Sequence, residues 1–435
     1  MASNTLVIFG ASGDLTHRKL LPALWKGHLH GRLPDLDILG VARRPWTDEI
    51  FRKSAKNACE PKDLSKWASF EERVTYVSAD VSDSGSFGHL CHLLDKNENL
   101  LFFLATSPEL FEPISTRLVG VKNSGFKRLM IEKPFGTDLK SARRLHAAVH
   151  KAFGDNVYAV DHYLGKNVVR NLLALRFSNR IFEGVWNKKF IERIDIHHAE
   201  ELGVGHRAAY YDGEGALNDM VQSHLLQILA RVAMEKPRKW TSEEVAREKA
   251  NVLKKLKPEG TPVFGQYEGY VEEVGHKTHT ETFCALKLSI DNPRFRGVPV
   301  FITTGKRLGS SFAKVVVTFK PTDFMGSNPA TTLTVQLQPE EHFTLTVNLR
   351  RPGQAIIEPF KMDYCSSCEF DPHAPEAYEA LFDDALKGKK SFFAWWPEIE
   401  ASWMFVEKVR KRAGGRVFPY APGTVGPVQA KKWIQ

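Results

Sequence analysis

Hydrophobic runs and helical patterns alternate along the first 165 residues. Strand-like runs rich in apolar residues occupy residues 5–9, 36–42, 74–77, 100–105, 128–131 and 157–160, with helical patterns between them. The first of these, residues 5–9, is continuously apolar after Thr5. Strands that are apolar throughout are typical of a parallel sheet covered by helices on both faces. We therefore predict an α/β domain over residues 1–165, built on a Rossmann-like doubly wound parallel sheet.

The pattern changes after residue 166. Helical patterns at 217–234 and 243–256 come first, and strand-like runs separated by turn-rich stretches follow at 282–290, 298–303, 314–320, 332–337 and 342–349. Two more helical patterns lie at 375–386 and 398–411, before an extended tail at 417–435. This order predicts an α+β domain over residues 166–435, with a large, mainly antiparallel sheet and flanking helices.

Length and composition are those of an ordinary globular protein. Apolar residues make up 43% and charged residues 26% of the 435 residues, which is enough chain for two domains with cores of their own. No apolar run approaches the roughly 20 residues of a membrane span, and the N-terminus has no signal-peptide pattern. We expect a cytoplasmic protein without a membrane partner.

The formal net charge of +9 narrows the choice of ligands. Nucleic-acid binding is one explanation, but the basic residues are scattered and form no stripe interleaved with aromatic residues. A basic cleft also attracts small anions such as a dinucleotide or a sugar phosphate. We favour small anionic ligands and expect no nucleic-acid partner.

The first apolar run leads into a glycine-containing turn. Residues 10–16 read Gly-Ala-Ser-Gly-Asp-Leu-Thr, and a helical pattern follows. A strand, a tight turn and a helix N-terminus present free N–H groups and a positive dipole end to a phosphate. The GxxG spacing matches only part of the general dinucleotide fingerprint, and a plain strand–helix turn would need the same glycines.

Arg43 and Arg44 follow the second predicted strand directly. In NAD-binding domains an acidic residue near this point holds the ribose hydroxyls, whereas arginine accommodates the 2′-phosphate of NADP. A solvated charge pair after a strand is the alternative. With the glycine turn upstream, the two arginines favour NADP. Lys133 follows the strand at 128–131 and would lie at the same ligand-binding edge of the sheet.

Residues 161–166 concentrate chemical groups in one short segment. Asp161, His162, Tyr163 and Lys166 supply a carboxylate, an imidazole, a phenol and an ammonium where a strand ends and a helix begins. The last three can converge on a phosphate, and the carboxylate can serve a catalytic proton. The segment is therefore a candidate active-site element.

His224 lies within a helical pattern, on the same face as Met220, Val221 and Ile228. A core histidine and a catalytic base are both open. A buried imidazole needs a partner for each ring nitrogen, and a carboxylate from elsewhere would fix its tautomer and raise its basicity.

Five cysteines are present, and Cys365 and Cys368 form a single CxxC. No second pair follows, so local motifs do not assemble a four-thiolate zinc site. The role of this pair stays open.

Together these residues resemble the glucose-6-phosphate dehydrogenase family. The resemblance runs from Gly10 to the C-terminal region, and EKPFG, DHYLGK and QSHLLQ, in that order, form a highly specific set. Its sequence marks are GASGDLT (10–16), VARR (41–44), FLATSP (103–108), EKPFG (132–136), DHYLGK (161–166), AEELG (199–203), YYDGEGALNDMVQSHLLQ (210–227) and GVPVFITTGKRL (297–308).

The resemblance implies hydride transfer from C1 of glucose 6-phosphate to NADP, giving the 1,5-lactone, the first step of the oxidative pentose phosphate pathway. His224 is implied as the base and Asp161 as the carboxylate that orients it. The implied substrate contacts are His162, Tyr163, Lys166, Glu200, Asp219, Lys133, Lys306 and Gln338. The implied cofactor contacts are Gly10, Ser12, Gly13, Asp14, Leu15, Arg43 and Lys133. A homodimer or homotetramer is also implied, and no metal is expected.

Two departures from the family pattern keep alternatives open. Ser223 stands where the family usually has Asn, and residues 309–313 lack a basic residue usually found shortly after the lysine equivalent to Lys306. A missing cation could weaken substrate binding or shift the sugar preference. The alternatives are a dehydrogenase for another hexose phosphate and a non-catalytic NADP-binding sensor or scaffold.

Overall fold

A computed structural model describes residues 4–33, 35–323, 328–354, 356–365 and 373–433. The chain forms two compact units. The first comprises residues 1–165 and 375–396, and the second comprises residues 166–374 and 397–435. The sequence division at 165/166 assigns residues 375–396 to the second domain, whereas in the structure they pack with the first unit.

The described strands are β1 (Asn4–Phe9), β2 (Leu36–Ala42), β3 (Val74–Ser78), β4 (Asn99–Leu104), β5 (Lys127–Ile131), β6 (Val157–Ala159), β7 (Ile191–Ala199), β8 (Leu256–Tyr267), β9 (Phe283–Ile290), β10 (Val300–Gly305), β11 (Phe312–Phe319), β12 (Thr332–Gln338), β13 (His342–Arg350), β14 (Ile357–Cys365) and β15 (Val417–Tyr420).

The described α-helices are α1 (Leu21–Leu29), α2 (Asp48–Cys59), α3 (Leu64–Glu71), α4 (Ser84–Leu94), α5 (Phe111–Leu118), α6 (Leu139–Phe153), α7 (His162–Gly165), α8 (Asn167–Phe177), α9 (Arg180–Val185), α10 (Ala208–Ala216), α11 (Leu226–Ala233), α12 (Ser242–Leu253), α13 (Tyr270–Val274), α14 (Ala377–Leu386) and α15 (Trp396–Ala413). Two π-helical segments, Thr16–Leu20 and Leu217–Leu225, precede α1 and α11.

The sheet of the first unit has six strands in the order β3-β2-β1-β4-β5-β6. Neighbouring strands pair in parallel, and Ile8 lies between Gly40 on one side and Phe103 on the other. The strand order reverses at β1 and β4, so their carboxyl ends flank the crevice where such sheets bind ligands. The predicted Rossmann-like doubly wound sheet is confirmed.

The returning stretch 375–396 completes the core of this unit. Phe382 and Leu381 of α14 are fully buried, and the Phe382 ring lies 5.6 Å from that of Phe103 in β4. Phe393 packs edge-on against Tyr158, and Ala394 forms an antiparallel bridge with Ala159, the last residue of β6. Long-range burial of apolar side chains therefore places this stretch in the first unit.

The second unit is built on a nine-stranded sheet in the order β14-β13-β12-β11-β7-β10-β9-β8-β15. Most neighbours are antiparallel, but β7 pairs in parallel with β10, and β8 with β15. The predicted large, mainly antiparallel sheet with flanking helices is confirmed. Between helices α12 and α15, Lys249 forms a buried 2.7 Å ion pair with Glu398.

Within the described residues, no helix combines the length and the apolar character that crossing a membrane requires.

Candidate active site

The turn after β1 has a backbone that only glycine suits at its first position. Gly10 has φ +87°, and a Cβ there would come within 2.5 Å of the Ala105 carbonyl oxygen. The Gly10 N–H donates to the Val41 carbonyl at 2.8 Å, and the Gly13 N–H donates to Gly10 at 2.9 Å. These bonds fix a tight turn at the carboxyl end of β1, where backbone can approach a diphosphate closely.

This turn forms one end of a cavity of about 460 Å³. The arginine loop after β2, which carries Arg43 and Arg44, forms another part of its lining, and Asp80 also lines the cavity. The volume suits a nucleotide portion of a cofactor. The lining residues from the predicted cofactor set are Gly10, Ser12, Gly13 and Arg43.

Asp14, Leu15 and Lys133 occupy other positions in the first unit. Asp14 is exposed and pairs with Arg18 at 3.3 Å, while Leu15 packs against the apolar core. Lys133 is half-buried and lies two residues beyond the carboxyl end of β5. None of these three residues is among those that line the cavity. Asp14 and Leu15 directly follow the lining residue Gly13 in the chain, and Lys133 follows a strand of the same sheet.

A buried acid lies beside Lys133. Burial raises the pKa of Glu132 to about 7, while a hydrogen bond from Tyr378 and the positive charge of Lys133 oppose that rise. The Tyr378 hydroxyl donates to Glu132 at 2.8 Å. Sequence reasoning missed both residues. A charged residue directly after an apolar strand was a signal for Glu132, but no local pattern connects it with Tyr378.

Residues 161–165, which belong to the first unit, are tightly packed. Asp161 is buried, and its Oδ1 accepts the Tyr163 backbone N–H at 3.0 Å. The His162 ring stacks parallel to the ring of Tyr378 at 6.2 Å and lies 4.8 Å from that of Tyr163. These contacts restrict the orientations of the imidazole and of the phenol.

Lys166 belongs to the second unit, where the β12–β13 hairpin holds its ammonium. Its Nζ donates to the Leu337 carbonyl at 3.0 Å and to the Glu341 carboxylate at 3.3 Å. Glu341 also accepts the Val168 backbone N–H at 2.9 Å. Gln338, from the predicted substrate set, is the last residue of β12 in the same hairpin.

Parallel pairing of β7 and β10 brings two predicted substrate residues together. Glu200 and Lys306 each follow the paired residues Ala199 and Gly305, and their side chains form a 2.5 Å ion pair. The Lys306 ammonium also lies 5.1 Å from the centroid of the Tyr211 ring. The carboxyl ends of these central strands therefore carry a fixed charged pair.

His198 is a buried residue of β7 in the second unit. Burial lowers its pKa to about 4, and the charges of Glu200, His224, Lys306 and Asp219 all act on it. Its Nδ1 lies 3.2 Å from the Thr304 hydroxyl. Four predicted site residues of this unit thus lie within electrostatic range of a buried imidazole that sequence reasoning missed. Two adjacent histidines near the end of a strand were the available signal.

Asp219 and His224 lie on the π-helical segment Leu217–Leu225. The helical pattern at 217–234 predicts a regular helix, but only Leu226–Ala233 is α-helical. A π-helix closes i→i+5 hydrogen bonds, so side chains five residues apart come nearer to one face than in an α-helix. Asp219 and His224 have that spacing, and both are buried, with His224 only 1% exposed. Ser223 donates its hydroxyl to the Asp219 carbonyl at 2.8 Å.

Glu281 supports the start of this segment. Gly215 has φ +70°, and a Cβ there would come within 2.5 Å of the Glu281 carboxylate. That carboxylate accepts the Leu217 N–H at 3.0 Å, and the Glu281 carbonyl accepts the Ala216 N–H at 2.9 Å. Sequence reasoning missed Glu281 because it lies more than fifty residues away in the chain.

Of the CxxC cysteines, Cys365 ends β14, and Cys368 lies outside the described residues.

The order of the parallel sheet, its glycine turn and the adjacent cavity define the first unit as the nucleotide-binding domain of a dehydrogenase. The family described as "Glucose-6-phosphate dehydrogenase, NAD binding domain" matches residues 7–171, and "Glucose-6-phosphate dehydrogenase, C-terminal domain" matches residues 173–435. The chain belongs to the glucose-6-phosphate dehydrogenase family. It is therefore an oxidoreductase, and its cofactor is a pyridine nucleotide.

The similarity to known proteins covers almost the whole chain. Glucose-6-phosphate 1-dehydrogenase of Bacillus subtilis is 39% identical, covering 98% of this chain and 95% of the relative. The protein of the same name from Aggregatibacter actinomycetemcomitans is 38% identical, with coverages of 99% and 95%. A solved glucose-6-phosphate dehydrogenase in complex with its substrate glucose-6-phosphate is 30% identical, with a TM-score of 0.92 and coverages of 100% and 97%. The enzyme from Mycobacterium avium is 31% identical, with a TM-score of 0.89 and the same coverages.

Proposed function

We propose that the protein oxidises C1 of D-glucose 6-phosphate to 6-phospho-D-glucono-1,5-lactone with NADP as hydride acceptor, as the first step of the oxidative pentose phosphate pathway. The observation that carries the proposal is the set of buried residues Asp219, His224 and Lys306, with Lys306 paired to the half-buried Glu200. A buried set of acid, base and cation suits a hydroxylated substrate that loses a proton. The full-length similarity to a solved enzyme with this substrate supports the same assignment.

Proton removal is the task of His224 in this proposal. The C1 hydroxyl gives its proton to the His224 imidazole as the C1–H bond breaks, and the C1–O bond becomes a carbonyl. NADP, when bound, supplies the acceptor for the hydride. Asp161 is the proposed carboxylate that orients the imidazole and stabilises its charged form. Asp219 and Glu200 are the proposed acceptors for other sugar hydroxyls.

Phosphate binding is assigned to segment 161–166. Within the first unit, His162 is braced by Tyr378, and the Tyr163 side chain is buried beside it. Within the second unit, the Lys166 ammonium is held at the β12–β13 hairpin. Cationic groups fixed in advance bind a phosphate dianion without a large loss of side-chain freedom. Lys306 and Gln338 are further proposed substrate contacts.

The first unit carries the proposed cofactor site. The turn with Gly10, Ser12 and Gly13 suits a diphosphate, and Arg43 at the end of β2 suits the 2′-phosphate of NADP. Lys133, at the end of β5, is proposed to lie between cofactor and sugar. Asp14 and Leu15 are proposed to contribute through the backbone of the turn. A cytoplasmic location and a homo-oligomeric state remain predictions from the sequence and the resemblance.

The deciding experiment is the absorbance of NADPH formed by purified protein with glucose 6-phosphate and NADP. NAD, free glucose and other hexose 6-phosphates are run in parallel. Turnover confined to the glucose 6-phosphate and NADP pair is the expected result. Faster turnover of another hexose phosphate would replace the substrate, and NADP binding without turnover on any of these sugars would favour the sensor alternative.

A further inference from the structure

The side chain of Arg44 rests on an aromatic support. Its guanidinium carbon lies 5.5 Å from the centroid of the Trp46 ring. Trp46 in turn packs against Tyr76 of β3 at 5.9 Å and meets the ring of His17 edge-on at 6.2 Å. A guanidinium over an indole face is attracted to it and loses part of its freedom. Arg44 is thereby held at the rim of the cavity it lines.

The backbone of the arginine loop is fixed from the neighbouring strand. The Tyr76 hydroxyl donates to the Arg44 carbonyl at 2.7 Å and lies 3.3 Å from the carbonyl of Ala42. The same Arg44 carbonyl accepts the Trp46 N–H at 2.8 Å. Tyr76 is only 7% exposed, so its hydroxyl is committed to this loop. One buried phenol therefore sets the path of the chain where both arginines lie.

His17 connects the same aromatic support to the glycine turn, which also lines the cavity. The Gly13 carbonyl lies 2.8 Å from His17 Nδ1, and Ser54 Oγ lies 2.7 Å from Nε2. A carbonyl only accepts, so Nδ1 carries the proton and Nε2 of a neutral ring accepts from Ser54. His17 and Trp46 thus link the turn that suits a diphosphate to the loop that carries the arginines.

The cavity also contains an acidic side chain, which weakens the attraction of Arg43 for an anionic ligand. Asp80 lines the cavity, and hydrogen bonds from Ser82 together with the nearby charge of Arg43 lower its pKa. An ionised Asp80 offsets part of the charge that Arg43 presents to an anion. Arg44 restores a net positive field at the end of β2.

We propose that Trp46 and Tyr76 are positioning residues for cofactor specificity, which hold Arg44 beside Arg43 so that both guanidinium groups meet the 2′-phosphate of NADP. The inference rests on the proposed use of NADP and deepens it. In this proposal the arginine loop and the aromatic residues that support it discriminate together against NAD. A preorganised guanidinium group loses less side-chain freedom when it binds the phosphate that NAD lacks.

The test compares four single variants in the full-length protein, and it also combines Trp46→Leu and Tyr76→Phe each with Arg44→Ala. Arg44→Ala removes the charge, Trp46→Leu removes the aromatic face, and Tyr76→Phe removes one hydroxyl while keeping the ring. Arg144→Ala is the matched control, because it removes an exposed arginine on α6. Each is measured for kcat/KM with NADP and with NAD, and by calorimetry for affinity to adenosine 2′,5′-bisphosphate and to AMP.

The expected result is a loss of discrimination rather than a general loss of activity. Arg44→Ala should lower the NADP-to-NAD ratio by about tenfold, the effect of one charge-assisted hydrogen bond. Tyr76→Phe and Trp46→Leu should lower it by roughly three- to fivefold, since they loosen the arginine without removing it. In the Arg44→Ala background neither should lower the ratio further, because both act through that side chain.

Two outcomes would overturn the inference while leaving NADP use intact. One is a wild-type preference for NADP and the bisphosphate that Tyr76→Phe and Trp46→Leu leave unchanged. The other is an undiminished effect of these variants in the Arg44→Ala background. A wild-type protein that binds the bisphosphate no better than AMP would refute the inference together with NADP use. Absence of turnover alone would refute only the proposed function, because the two nucleotide titrations still decide the role of Arg44.

Discussion

The carboxylate of Glu281 accepts a hydrogen bond from the backbone N–H of Leu217 at 3.0 Å. Leu217 is the first residue of the π-helical segment that carries Asp219 and His224. Burial raises the pKa of Glu281, while the Leu217 N–H and the charge of Arg410 lower it. The side chain of Glu281, two residues before β9, thus caps the start of the helical segment that carries the proposed catalytic base.

Glu281→Ala should therefore impair catalysis through geometry. Losing a helix-capping acceptor costs about 1 kcal/mol, and a misplaced base slows the reaction, so we expect kcat to fall by roughly ten- to a hundredfold. Glu281→Gln keeps an acceptor oxygen and should retain most of the activity. Steady-state kinetics check this, with the exposed Glu268→Ala as control. A folded Glu281→Ala protein with normal kcat would contradict the positioning role.

His224→Ala tests the proposed base. We expect kcat to fall by about 10²- to 10⁴-fold, the usual effect of losing a general base, with cofactor affinity nearly unchanged. Turnover and calorimetric titration of NADP measure the two effects separately. His150→Ala, which removes an exposed histidine, is the control. Turnover within a few fold of wild type would remove His224 from the mechanism.

Lys166→Ala tests phosphate recognition. The variant should raise KM for glucose 6-phosphate by roughly ten- to a hundredfold, because a charge-assisted hydrogen bond to phosphate is lost. Turnover of free glucose should change little. Glu341→Gln loosens the hold on the Lys166 ammonium and should raise KM less. The control is Lys257→Ala, at an exposed lysine. An unaltered preference for the phosphorylated sugar would exclude Lys166 from phosphate binding.

Glu132 predicts a pH dependence of stability. Its folded-state pKa is raised by burial from 4.5 to about 7, so the folded state favours the protonated acid. This stability is fully present below pH 4.5 and is lost as the pH rises towards 7, with a total on the order of 3 kcal/mol. Glu132→Gln stays neutral and keeps an acceptor for Tyr378.

Urea unfolding of the ligand-free protein between pH 5 and 8 measures the effect. The wild type should lose stability relative to Glu132→Gln as the pH rises. Asp14→Asn, at an exposed acid of the same unit, should follow the wild type. Parallel curves for wild type and Glu132→Gln would show that Glu132 does not titrate in this range.

Local patterns predicted much of both sheets but missed particular strands. Each predicted strand of the first unit is present, because the buried side chains of these strands are mostly apolar and mark them in the sequence. β8 was missed because Pro258, Gly260 and Pro262 interrupt its pattern, and its first residue falls in a predicted helix. β14, which contains Pro359, is an edge strand with an exposed middle, so little burial marks it in the sequence. The predicted tail contains β15 and a 3₁₀-helix.

Residue types in the site were easier to predict than their partners. The fixed charges of Glu200 and Lys306 could be named from a resemblance, but their ion pair depends on strand pairing across the sheet. Glu281, Tyr378 and Trp46 act through side chains distant in sequence, and amphipathic periodicity carries no record of such contacts. The apolar residues of 217–225 are spaced in the sequence as an α-helix would space them, so periodicity could not reveal the π-helical winding.

The unit that holds the parallel sheet is assembled from two stretches separated by more than two hundred residues. Protein synthesis proceeds from the N-terminus, so on the ribosome the first 165 residues emerge long before Phe382 and Phe393 can cover Phe103 and Tyr158. During that interval the apolar side chains of Phe103 and Tyr158 lack the residues that later pack against them. A chain that stops before residue 375 would lack the residues that complete the core of the nucleotide-binding unit.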